Sequence, residues 1–297
     1  MARYSVVTDR QDDRLAPYVA LRDPVLRKAQ MVPGPSGHGV FIAEGKLVLP
    51  RVLRSPYPIV SVLVSPARYS EFAPILDEFD IDVLVCDQAI MDLTTGYHLH
   101  RGLLVCAGRL PLTCVEDVAR NARRVAIVEG ISDQENLGSI FRSASALGID
   151  GVLLDLQTCD PLYRRVVRVS MGHCLYVPWA RVEPWPDALG TLTHHGFELV
   201  ALTPAAHAVP LREFASRDRA SAGGAASANA PAKLALAFGA ESDGLSPEFF
   251  ARAHHHVRIE QQADVDSLNV SHAAAIVFAA LGNPTNDRSN TSGMIQP

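Results

Sequence analysis

From Arg124 onward, short apolar runs recur at regular intervals: RVAIVEG, GVLLDLQ, CLYVPWA, FELVALT, KLALAFGA and HVRIE. Each is almost continuously apolar, as expected of strands covered on both faces of a parallel sheet. The segments between them carry apolar residues at spacings of three and four. In LGSIFRSASALG, Leu137, Ile140, Phe141 and Ala144 fall on one helical face. PLYRRVVRVSMG opens on Pro161, which a first helical turn tolerates, and SLNVSHAAAIVFAALG meets a natural stop at Gly282. The alternation predicts an open α/β sheet.

Upstream, the runs VFIAEG, PIVSVLVS, IDVLVC and GLLVCAG alternate with segments such as 69–79 that have helical character, which predicts a smaller α/β unit. Residues 110–123 are more polar and mark a boundary. The expected organisation is a substrate domain over 1–113 with a flexible N-terminal segment, a second domain over 120–285 and a disordered tail over 286–297. Residues 1–40, with the Gly/Pro-rich stretch MVPGPSGHG, read as loop, and the low-complexity stretch 216–232 reads as a flexible loop.

Composition narrows the class. Hydrophobic residues make up 48% and charged residues 20% of the 297, which excludes a disordered or collagen-like chain. Five widely spaced cysteines without a C-x-x-C pair suggest reduced, mostly buried thiols. Neither a signal-type apolar region nor a run near the roughly 18 apolar residues of a membrane span occurs, so a cytoplasmic protein with no membrane partner is expected. The net charge of −5 argues against indiscriminate nucleic-acid binding. Local charge differs: Arg164, Arg165 and Arg168 share a predicted helix, Arg123 and Arg124 form a second basic spot, and residues 1–115 balance 12 basic against 12 acidic side chains.

Ligands of open α/β sheets bind beyond the carboxyl ends of the strands, so the polar residues that follow strands are the candidates for chemistry. After AIVEG come Asn136 and Arg142, six residues apart across a helix start. Arg142 stands among Ile140 and Phe141, where its guanidinium has to snorkel or meet an anion. After LALAFG a Gly-rich turn carries Glu241, Asp243 and Gly244, followed by a helix capped by Ser246 with Pro247 first. After HVRIE, Ser267, Asn269 and Ser271 stand at a helix N-terminus. Singly, each set is explained by capping and turn chemistry. The run His254, His255, His256 lies in a strand-like context, where consecutive side chains point to opposite faces, so no metal site is expected. Neither G-x-G-x-x-G nor a Walker A string occurs.

Taken together, NLGSIFRSASALG, LAFGAESDGLS and SLNVSHAAAI resemble, in order and spacing, the three signature motifs of the SpoU/TrmH family of RNA ribose 2′-O-methyltransferases. The resemblance covers residues 124–282; FIAEG at 41–45 and GYHLHRGLLVCA at 96–107 resemble landmarks of the family's accessory substrate-binding domain. It implies a trefoil-knotted open parallel-sheet catalytic domain preceded by a smaller α/β RNA-binding domain, a homodimer, and S-adenosylmethionine bound in the knot. On this resemblance Gly239, Ile259 and Leu268 match cofactor-contact positions, and Asn136, Arg142, Glu241, Ser267 and Asn269 match the polar catalytic set. Where the family often has Ile-Pro-Met, this chain has Ile259-Glu260-Gln261, so a cofactor loop of different shape is expected.

The expected reaction transfers a methyl group from S-adenosylmethionine to a ribose 2′-hydroxyl of rRNA or tRNA, without a metal. A guanidinium with a pKa above about 12 is a poor general base, so Arg142 is assigned to hold the phosphate beside the target ribose. Asn136 is assigned to hold Arg142 or the ribose, Ser267 and Asn269 to order the third-motif turn, and Glu241 to fix the loop. The rival reading is a non-catalytic RNA-binding protein that retains the knotted fold.

Overall fold

The computed structural model describes residues 1–19, 21, 38–99, 102–223, 233–262 and 267–283, the side chains of 219–223 excepted. The chain divides into two compact units. The first comprises Met1–Pro111 and Leu162–Tyr176, the second Leu112–Pro161 and Val177–Ser292.

Through residue 111 the elements are β1 (Arg3–Val7), β2 (Val40–Glu44), α1 (Leu49–Leu53), β3 (Ile59–Val64), α2 (Pro66–Leu76), β4 (Asp82–Cys86), α3 (Gln88–Thr95) and β5 (Leu103–Gly108). They form a five-stranded sheet in the order β1-β4-β3-β5-β2, with β5 antiparallel to both of its neighbours. Its core includes Ile42, Leu63, Leu84 and Leu104. The loop expected over 1–40 is corrected at its start, because RYSVV forms β1, parallel to β4. That pairing reaches across the sequence and is reinforced by Arg3 Nε donating to Asp82 Oδ1 at 2.7 Å, so no local pattern announces it. A 3-10 turn over Asp13–Tyr18 follows, with the buried Tyr18 hydroxyl donating to the Ser61 carbonyl at 2.9 Å.

From residue 112 the elements are α4 (Val115–Asn121), β6 (Arg124–Val128), α5 (Gln134–Ala146), β7 (Gly151–Leu154), α6 (Arg164–Val169), β8 (Trp179–Arg181), α7 (Gly190–His194), β9 (Phe197–Leu202), β10 (Val209–Pro210), α8 (Leu211–Gly223), β11 (Lys233–Phe238), α9 (Pro247–Phe250), β12 (His255–Arg258) and α10 (Val270–Leu281). Helix α6 belongs to the first unit although it lies between β7 and β8 in sequence. It packs on β2: the Arg164 guanidinium pairs with the buried Glu44 carboxylate, donates to the Tyr97 hydroxyl at 2.6 Å and stacks over that ring. Tyr176 closes the returning segment by donating to the Arg51 carbonyl at 2.5 Å.

The seven strands of the second unit run parallel in the order β10-β12-β9-β11-β6-β7-β8. Val125, Ile127, Leu153, Leu199, Ala235 and Ala237 are buried in its core, which is why these strands read as unbroken apolar runs. Helix α10 packs on α5, and Phe278 meets Phe238 edge to face at 5.5 Å. Its end is pinned closely: a Cβ on Gly282 would lie 1.9 Å from the Leu147 carbonyl oxygen. The buried Arg124 donates to the Leu281 carbonyl at 2.7 Å and pairs with Asp218 of α8 at 2.8 Å.

Residues 216–223, expected as loop, are the second half of α8. Leu211, Phe214 and Ala215 bury one face of its first half and Asp218 pairs with Arg124, so the helix is anchored at its start and propagates into a stretch whose composition reads as low in complexity. Residues 224–232, the expected tail over 286–297 and most of MVPGPSGHG lie outside the described residues. Cys86, Cys106, Cys159 and Cys174 are buried and Cys114 is exposed; burial pushes the Cys106 and Cys159 thiols up to about 12. Among the described residues no helix is long and apolar enough to cross a membrane.

Candidate active site

The carboxyl ends of three neighbouring strands, β9, β11 and β12, open onto a cavity of about 370 Å³. This lies beside the place where the chain, having run outward through β6, β7 and β8, turns back to the other side of the sheet, the usual ligand crevice of an open α/β fold. The volume suits a small-molecule ligand. Gly239 lines one wall, Ile259 and Leu268 line others, and Glu241 and Ser267 stand at its edge.

The β11–α9 loop is shaped by backbone proximity. Ala240 and Gly244 form a bridge, with the Gly244 N–H donating to the Ala240 carbonyl at 2.9 Å. A Cβ on Gly239 would fall 2.0 Å from the Gly244 carbonyl carbon and 2.2 Å from the Leu245 nitrogen, so only glycine fits there. Gly244 has φ 68°, the left-handed region that glycine enters freely. Ser246 then caps α9, its side chain accepting from the Phe249 N–H at 3.2 Å.

Three side chains that are 28 to 133 residues apart in sequence meet beside this loop. The Asn269 amide donates to Glu241 Oε1 at 2.7 Å and to Asn136 Oδ1 at 2.8 Å, and the Asn136 amide donates to the same Glu241 oxygen at 3.1 Å. Asn269 also caps α10, its Oδ1 accepting from the Ser271 N–H at 2.9 Å. The start of α5, the β11 loop and the start of α10 are therefore joined through one carboxylate oxygen.

One part of an expectation is corrected by this geometry. Of the two roles assigned to Asn136, holding Arg142 is not seen; its side chain is taken by Glu241 and Asn269, and Asp133 caps α5. Arg142 is exposed, because Ile140 and Phe141 turn into the core and leave it on the outer face. It makes no hydrogen bond or ion pair with the described residues, and its charge is available to a ligand. Ser267 is exposed at the cavity.

Other residues escaped the sequence reading. Leu202, Thr203, Pro204 and Phe250 line the cavity. Leu202 ends β9 and Thr203 and Pro204 follow it, the one signal that could have found them. Of the Glu260-Gln261 departure, Gln261 lines the cavity, whereas the Glu260 carboxylate lies 3.9 Å from Arg212. The three histidines separate: His254 Nδ1 accepts from the Leu199 N–H at 2.9 Å, His255 pairs with Glu198 at 2.8 Å, and His256 packs on Phe250 and His207. Among the described residues no group of three or more His, Cys, Asp or Glu side chains could hold a metal.

Residues 123–279 match the sequence profile of the SpoU rRNA Methylase family. A relative from Mycobacterium tuberculosis, described as an uncharacterized tRNA/rRNA methyltransferase, is 41% identical over 244 residues, 82% of this chain and 81% of its own. The chain belongs to the SpoU rRNA methylase family. The fold of this SpoU-family methyltransferase agrees with solved structures. An AdoMet-bound rRNA methyltransferase from Sinorhizobium meliloti superposes with a TM-score of 0.72 at 22% identity, over 93% of this chain and 97% of that one. An RNA 2′-O ribose methyltransferase superposes with a TM-score of 0.69 at 24% identity over the same shares.

Proposed function

We propose that this chain transfers the methyl group of S-adenosylmethionine to a ribose 2′-hydroxyl of a structured RNA, either rRNA or tRNA. The observation that carries the reading is the cavity at the ends of β9, β11 and β12, with the Asn136–Glu241–Asn269 link beside it and, on α5, whose first turn holds Asn136, an exposed Arg142 with no partner among the described residues. The cavity fits the cofactor. Its walls are mostly apolar, with Leu202, Phe250, Ile259 and Leu268 among them, and Glu241, Asp243 and Ser267 add polar groups. Gly239, Ile259 and Leu268 would hold the cofactor, and bound S-adenosylmethionine supplies a methyl group already activated on a sulfonium.

The chain's own residues have to supply position. Arg142 presents a fork that fits the phosphate beside the target ribose and neutralises charge as the hydroxyl becomes a nucleophile. The Asn136–Glu241–Asn269 link holds the β11 loop against α5 and α10, fixing cavity and helix relative to one another. The reading includes a trefoil knot, for which the close seating of Gly282 on Leu147 and the Arg124 contact to Leu281 speak.

RNA selection is assigned to the first unit. With its returning segment it carries 15 Lys and Arg against 12 Asp and Glu, whereas the second carries 12 against 20. Phosphate contacts release counterions, so RNA affinity should fall as salt rises. The protein acts as a homodimer in the cytoplasm. Ile276 is 42% exposed on α10, opposite the buried Ala274, Val277 and Phe278, and a partner subunit would cover it. Sedimentation at micromolar concentration should show the dimer; a monomer would contradict it.

The function is tested with tritiated S-adenosylmethionine and separate rRNA and tRNA fractions from cells lacking the gene. Label is expected in one fraction, at a nucleotide whose 3′ linkage resists alkali because its 2′-oxygen is blocked. Label only in alkali-sensitive positions would move the reaction from ribose to base. Cofactor binding without any transfer would favour the non-catalytic reading.

A further inference from the structure

Glu129 follows directly on β6 and is 9% exposed, and the reaction outlined above leaves it unused. Both of its oxygens are engaged by donors from distant segments. The Trp185 indole Nε1 donates to Oε1 at 2.9 Å, and the Ser246 backbone N–H donates to Oε2 at 2.9 Å. Ser246 is the last residue of the β11–α9 loop, whose residues from Gly239 to Leu245 line the cavity. The Glu129 backbone N–H also donates to the carbonyl of Phe238, the residue before that loop, at 2.9 Å. Glu129 thus grips the loop at both of its ends.

Trp185 extends the grip to the back of the cavity. Its ring stacks on Phe249, with centroids 6.2 Å apart and planes at 17°, and the next residue, Phe250, lines the cavity. Asp187, two residues on, pairs with Arg252 just beyond α9. The segment around Trp185 and the carboxylate of Glu129 therefore clamp loop and helix without themselves lining the cavity.

We propose that Glu129, backed by Trp185, is a positioning residue for the cofactor: it acts through the Ser246 amide to set the loop that forms the cavity wall. The inference rests on the reading of this cavity as the S-adenosylmethionine site. The chemistry is asymmetric. A carboxylate accepts from two N–H donors at once, whereas a glutamine in its place offers one carbonyl oxygen and turns an NH2 group toward the other donor. A buried donor left facing a donor is costly, so the loop should shift to relieve it.

The test is a double-mutant cycle read on cofactor affinity by calorimetry with S-adenosylhomocysteine. Glu129→Gln should weaken binding by about tenfold, the scale of one lost charge-assisted hydrogen bond. Turnover at saturating S-adenosylmethionine should stay within about twofold, so the loss sits in KM. In Trp185→Phe protein the same change should cost no more than about twofold, because the glutamine carbonyl can serve Ser246 with no second donor opposing its amide. An equal cost in both backgrounds, or none in either, would overturn the proposal.

A second measurement covers a Glu129→Gln protein that does not fold. In Trp179→Phe protein, Trp185 is the sole tryptophan, and its emission should change on titration with S-adenosylhomocysteine with the same Kd as calorimetry. Unchanged emission from a protein that binds would overturn the proposal alone. A wild-type protein that binds no cofactor would sink the functional reading and this inference with it.

Discussion

Replacing Arg142 with alanine should lower methyl transfer by about a hundredfold or more, the scale of removing a charged hydrogen-bond donor from a developing oxyanion. Affinity for S-adenosylmethionine should stay within about threefold, because Arg142 neither lines the cavity nor bonds to any residue that does. Its exposure and its lack of partners among the described residues also make the folded state indifferent to the change, so the melting temperature should not move. Arg142→Lys should be nearly as inactive as alanine. A lysine keeps the charge but loses the planar fork that meets a phosphate with two parallel hydrogen bonds. Single-turnover rates on the true RNA, with cofactor affinity measured alongside, decide the matter. A lysine variant with near-normal turnover would reduce Arg142 to a point charge, and an alanine variant with near-normal turnover would remove it from the mechanism.

Gly239→Ala should abolish cofactor binding, by a loss of at least about a hundredfold in affinity. The atoms in the way are backbone: the added Cβ would lie 2.0 Å from the Gly244 carbonyl carbon, 2.1 Å from its oxygen and 2.2 Å from the Leu245 nitrogen. No side-chain rotation relieves such a contact. The Ala240–Gly244 bridge has to open, and the loop that walls the cavity moves with it. Gly190→Ala serves as the control. Nothing lies within 4 Å of a Cβ there and φ is −54°, so the change should leave binding alone and be neutral or stabilising by about 0.5–1 kcal/mol. Calorimetry and thermal melts of both proteins provide the comparison, and a Gly239→Ala protein that binds as the wild type does would show that the loop is not rigid in solution.

Much of the second unit was legible in the sequence because its signals are local. Continuous apolar runs announce strands buried on both faces; β6, β7, β9 and β11 lie within the runs that predicted them, and β12 overlaps its run but starts one residue earlier, at His255. Ser246, Pro247 and Gly282 hold the cap and stop positions expected of them, since capping needs only a few consecutive residues. The family followed from three short strings, each of which folds into one strand end or helix start.

The tertiary structure decided whatever depends on pairs distant in sequence. Strand β1 exists because β4 lies beside it, and α8 continues into a low-complexity stretch from a first half buried at Leu211, Phe214 and Ala215, with Asp218 held by Arg124. Helix α6 looks like the next helix of the second unit, yet its Arg164 answers Glu44 across 120 residues and places it in the first. Asn136 was read with its neighbour Arg142, whereas its bonds run to Glu241 and Asn269, 105 and 133 residues away. Glu129 gave no sign at all, being one acidic residue at the end of a strand, and its two donors come from 56 and 117 residues further on. A linear pattern reports which face a residue needs to turn inward; which partner waits there is set by the packing of the whole sheet.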